Sequence, residues 1–84
     1  MTKTEIEAWL TRWFATKAPD QRLDPSVNYI DAGIVDSFEL IVLIEEMEAE
    51  FGCRFVEADF QDRRFVTVSG LVEIVLEKKT QADG

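Results

Sequence analysis

With 84 residues the chain has length for one domain and none for a second, so residues 1–84 are expected to form a single domain, frayed at about 80–84. At 46% hydrophobic, with six Phe and two Trp, it is too apolar to be a disordered tail. It has no histidine, which excludes Ser-His-Asp and Cys-His catalysis and imidazole metal ligation, and its net charge of −8 repels nucleic-acid phosphates.

The first predicted helix opens with Thr4 and Glu7, whose spacing fits a capping box. Ile6, Trp9, Leu10, Trp13 and Phe14 then recur at helical spacing and define one buried stripe, which Pro19 terminates. At that spacing the tryptophan pair reads as core and not as a ligand platform. Residues 18–35, broken by Pro19, Pro25 and Gly33, read as a long loop. A loop of that length needs pins, and Leu23, Val27, Tyr29, Ile30 and Ile34 are the apolar candidates.

A second helix is predicted from Asp36–Ser37 to Phe51–Gly52, with Asp36 as its N-cap and Glu39 completing a capping box. Leu40, Ile44, Met47 and Phe51, supported by Leu43, form the expected inward stripe. Gly52 suits the left-handed position that follows a helix end. Beyond it, residues 53–56 read as an extended link, and Glu57 to about Asp62 as one short helical turn with Phe60 inward. Thr67 caps a last helix to about Lys79, with Val68, Leu71, Val72 and Val75 on its apolar side. The expected fold is therefore all-α, a small four-helix bundle of three main helices and one short one.

Charge is unevenly spread. Residues 31–62 hold ten acidic side chains against Arg54 alone, whereas the flanking segments are close to neutral. Solubility alone does not require such clustering, so an acidic face for basic protein partners is the better reading. The glutamates of the second helix lack the loop geometry of a calcium site, and no metal is expected. Five residues, Leu40 to Ile44, make the longest apolar run, too short for a membrane span. The opening residues lack the pattern of a secretory signal, and the single cysteine, Cys53, cannot form an internal disulfide; a cytoplasmic setting and a monomer are expected. No neighbouring side chain in sequence activates Cys53, which reads as a small, mostly buried residue.

By itself, Asp-Ser at a helix start signals only a cap. Here Asp31-Ala-Gly-Ile-Val-Asp36-Ser37-Phe38 follows a pinned loop and opens a glutamate-rich helix ending in Glu-Phe-Gly, and Phe65-Val-Thr67 opens the final helix. This combination resembles the acyl and peptidyl carrier protein family over nearly the whole chain, and looks closest to free-standing carriers, including those similar to D-alanyl carrier proteins. The resemblance implies a non-enzymatic carrier of three long helices and one short helix. Ser37 would receive 4′-phosphopantetheine from coenzyme A through a phosphopantetheinyl transferase, with Asp36 as motif residue and cap. The arm's thiol would then hold an acyl or aminoacyl group as a thioester for acyl-activating or acyl-transferring enzymes.

The family likeness also places Phe38, Glu39, Val42, Glu45 and Glu46 in partner recognition. Val42 stands where many fatty-acid carriers have an acidic residue, and Glu45 where an apolar one is common. The widespread Gly-x-Asp-Ser form is absent, since Gly33 lies further upstream. These departures point to dedicated partners and away from generic fatty-acid synthesis. The helical register predicts Val42 at or beyond the edge of the core stripe, with Phe38 similarly accessible. The competing readings are an unmodified acidic adaptor for a basic protein and an acidic metal-responsive protein.

Overall fold

A computed structural model describes residues 2–19 and 24–83. Four α-helices follow in chain order: α1 (Lys3–Lys17), α2 (Ser37–Phe51), α3 (Glu57–Phe60) and α4 (Val68–Asp83), with a 3₁₀ turn, Arg63–Val66, between the last two. No strand occurs among the described residues. The expected all-α fold of three main helices and one short one is the fold observed, and among the described residues no helix is long and apolar enough to cross a membrane.

Helix α1 begins two residues earlier than predicted. Thr2 and Glu5, not Thr4 and Glu7, form its capping box, with the Glu5 N–H donating to Thr2 Oγ1 at 3.2 Å and Glu5 Oε1 accepting from the Thr2 N–H at 2.9 Å. The buried stripe is Ile6, Leu10 and Phe14, with Trp9 and Trp13 half-buried along its edge. On α2 the predicted stripe is rotated: Leu43, Met47 and Phe51 are buried, whereas Leu40 and Ile44 are half-buried flanks. Helix α4 contributes Val68, Leu71, Val72 and Val75 as predicted, adds Ile74, and continues four residues beyond its predicted end. Lys78 and Lys79 are consequently not at a free terminus. Lys78 pairs with Asp59, and Lys79 donates to the Phe51 carbonyl at 2.8 Å, meeting the C-terminal end of α2.

The long loop is held by turns and by one side chain. Asn28 Oδ1 accepts from the N–H groups of Ile30 and Asp31, and Gly33 takes a left-handed φ of 74°. Tyr29 is buried beside Phe14, its N–H donates to the Val66 carbonyl at 3.0 Å, and its hydroxyl donates to the Phe65 carbonyl. Its own carbonyl accepts from Ile34 and Val35. Of the expected pins, Tyr29 and the half-buried Ile34 serve. Val27 and Ile30 are exposed, the buried Val35 was not anticipated, and Leu23 lies outside the described residues. Phe60 also departs from expectation: it is 47% exposed, its ring edge resting on Phe65.

Burial pushes the Tyr29 hydroxyl above the ordinary phenol range, so it stays protonated as a donor. Tyr29→Phe keeps the ring packing but removes the donor from a buried carbonyl. A loss of about 1–3 kcal/mol is expected. Urea melts of the two proteins check this; equal midpoints would show that the hydroxyl contributes nothing to holding the loop.

Candidate functional site

The start of α2 is built locally. Asp36 is extended, with φ −92° and ψ 179°, and its carboxylate accepts from the Glu39 N–H at 2.8 Å. Glu39 returns the bond, accepting from the Asp36 N–H at 3.2 Å, as the capping-box spacing predicts. The preceding residue, Val35, is buried and tied to the Tyr29 carbonyl, so the chain enters α2 from a fixed point. Ser37 is the first helical residue and is exposed.

Successive residues on a helix turn by about 100°, which sorts the α2 side chains into four faces. Leu43, Met47 and Phe51 face the core. Glu39 and Glu46 lie on the α1 side: Glu39 pairs with Lys17 at 3.7 Å, and Glu46 accepts from the Trp13 indole N–H, while the Lys17 ammonium sits 4.9 Å above the Trp13 ring. Ser37, Ile44 and Glu48 share the opposite flank, where Glu48 accepts from the Phe55 N–H at 2.9 Å. Facing outward are Phe38, Ile41 and Glu45, with Phe38 75% and Ile41 56% exposed.

This distribution refines the sequence-based set. Glu39 and Glu46 are tied to α1 rather than standing free, while Glu45 has no ion-pair partner among the described residues. Val42 is half-buried on the α1 side of the outward residues, beyond the core stripe as the register allowed, and Phe38 is accessible. Ile41 was missed. Inside the run Leu40–Ile44 every position is apolar, so the pattern could not say which residue faces out.

Chemically, the site suits an anion carried on the serine. The exposed hydroxyl is free for another protein to reach. The N–H groups of Ser37 and Phe38, in the first turn, have no intrahelical acceptor and point toward whatever lies before the helix. Asp36 and Glu39 oppose an added negative charge there, but each is already engaged in the cap, and Lys17 offsets Glu39. Cys53 is half-buried, and burial pushes its thiol up; Lys78 and Lys79, distant in sequence, pull against this without outweighing it.

The phosphopantetheine attachment site family matches residues 15–75, a segment that contains the whole of α2 and its cap. The chain belongs to this family. It is a carrier domain, and the group the family binds covalently is 4′-phosphopantetheine. No curated protein matches the carrier significantly. An exposed serine hydroxyl beside two unspent N–H groups fits a phosphodiester, and the bound group would supply a thiol at the end of its arm.

Proposed function

We propose that this carrier is a non-catalytic cytoplasmic protein that holds an acyl or aminoacyl group on 4′-phosphopantetheine attached to Ser37. The observation that carries the reading is an exposed serine at the first position of a self-capped helix, inside the segment matched by the family. Asp36 holds the helix start; its carboxylate is committed to the cap, so the base that takes the serine proton comes from the phosphopantetheinyl transferase. Intact mass analysis after incubation with coenzyme A and a broad-specificity transferase tests this. One added phosphopantetheine, mapped to the Ser37 peptide, is expected; refusal by several transferases would favour the unmodified acidic adaptor.

Partner enzymes are proposed to dock on the outward ridge of α2. Phe38 and Ile41 give apolar anchors beside the serine, and Glu45 with the acidic residues of 31–62 steers basic partners toward it. Val42, at the edge of that ridge, contributes less than Ile41. Ile41→Glu is therefore expected to lower kcat/KM for loading of the holo-protein by about 30-fold, the scale of an interface anchor worth about 2 kcal/mol. Its melting temperature should stay close to wild type, because the side chain leaves an exposed position. Should Val42→Glu impair loading and Ile41→Glu not, the partner reads the α1 side of the helix.

A further inference from the structure

Helix α2 carries five glutamates, and three of them are engaged by other parts of the fold. Glu39 pairs with Lys17 of α1 at 3.7 Å, Glu46 accepts from the Trp13 indole N–H, and Glu48 accepts from the Phe55 N–H at 2.9 Å. Glu45 and Glu50 have no ion-pair partner among the described residues. At 1.5 Å of rise per residue, Glu39 lies about 3 Å along the axis from Ser37, Glu45 about 12 Å and Glu50 about 20 Å. The glutamate nearest the attachment serine is therefore one whose charge is compensated. One of its oxygens accepts from the Asp36 N–H in the cap, and the other faces the Lys17 ammonium.

Lys17 closes α1, where any cation meets the carbonyl end of the helix favourably. That role alone would leave its long side chain free to move in water. Here the ammonium is held between two groups, 4.9 Å above the Trp13 ring and 3.7 Å from Glu39, and Trp13 is itself fixed by Glu46. Both side chains keep partial exposure, Lys17 29% and Glu39 33%, so a docked protein can meet the pair.

We infer that Lys17 is a specificity residue of the carrier, which cancels the Glu39 charge at the docking face so that basic partners are steered by Glu45. The inference rests on the carrier reading of Ser37. A partner whose basic side chain falls against Glu39 is disfavoured by the ammonium; one that reaches along the outward ridge to Glu45 is not. Discrimination of this kind comes from an added repulsion and needs no added contact.

The test is kcat/KM for modification of Ser37 by a basic, broad-specificity phosphopantetheinyl transferase with coenzyme A, at low salt and at about 1 M salt. Lys17→Gln is expected to raise kcat/KM about threefold at low salt, through KM and not kcat. The gain should vanish at about 1 M salt, where the screening length falls to about 3 Å. Lys17→Arg, which keeps the cation, should resemble wild type. Lys3→Gln makes the same change in net charge at the opposite end of α1, about 21 Å away along the axis, and should have no effect. Adding Glu39→Gln to Lys17→Gln should return the rate to wild type, because glutamine still serves the cap and the pair as a whole is neutral. An unchanged or lower rate in Lys17→Gln overturns the inference. So does an equal gain in Lys3→Gln, which reads net charge alone, a gain that survives high salt, or one that persists when Glu39 is neutralised. Refusal of the wild type by the transferase instead defeats the carrier reading, so the two failures are distinct.

Discussion

Ser37→Ala is expected to abolish phosphopantetheine loading and to leave the melting temperature within about 2–4 °C of wild type, the scale of a surface change. The two effects separate because Asp36, not Ser37, supplies the cap oxygen, and alanine is the best helix former for the vacated position. The chain has two other serines. Ser26 is engaged with Asp24, its hydroxyl donating at 2.7 Å, in a tight turn. Ser69 is exposed near the start of α4 but lines a crevice of about 180 Å³ with Glu7, Thr11 and Pro25, where an added phosphodiester would meet a carboxylate. Intact mass and a melting curve decide the matter. A loaded Ser37→Ala protein would move the attachment point to one of these residues and remove the basis of the reading.

Gly70→Ala should damage the fold severely although it adds a single methyl group. In α4 the 3₁₀ turn lies directly against Gly70, and a Cβ there would stand 1.9 Å from the Arg64 carbonyl oxygen and 2.5 Å from its carbon. Those are backbone atoms, so no rotamer change relieves the collision. The turn must move, and with it the Arg64 fork and the Phe65 and Val66 carbonyls that hold Tyr29. Helix propensity alone favours alanine by about 1 kcal/mol, but overpacking against backbone reverses the sign. A net loss of about 3 kcal/mol or more is expected, with melting lowered by about 12 °C or more in a domain of this size. Ser69→Ala, one position away and exposed, should change stability by under about 0.5 kcal/mol. Were Gly70→Ala to melt at or above wild type, the close approach of the turn to α4 would be wrong.

What could be read from sequence divides by the range of the interactions. The α2 start was legible because its cap is made by residues three apart, Asp36 and Glu39, and its end because Gly52 supplies the left-handed φ of 64°. The α1 cap was misplaced because Thr2–Glu5 and Thr4–Glu7 show the same pattern; the earlier one adds hydrogen-bonded residues to the helix. The 3₁₀ turn and the need for glycine at 70 left no local signal, since both arise from segments that meet only after folding. At the site, the serine and its cap were visible as a motif. The division of the glutamates was not, because Lys17, Trp13 and Phe55, which engage Glu39, Glu46 and Glu48, come from other elements.

The reciprocal bonds between Asp36 and Glu39 have a consequence for how this protein can change. They specify the local pose of Ser37 within four residues, without reference to the core residues that α2 itself contributes. Substitutions among Leu43, Met47 or Phe51 can therefore raise or lower the melting point while the folded molecules present the serine unchanged. Stability and the presentation of Ser37 are separable traits here: the α2 interior is free to drift in composition, and its outward ridge can be rewritten, without disturbing the serine or its cap.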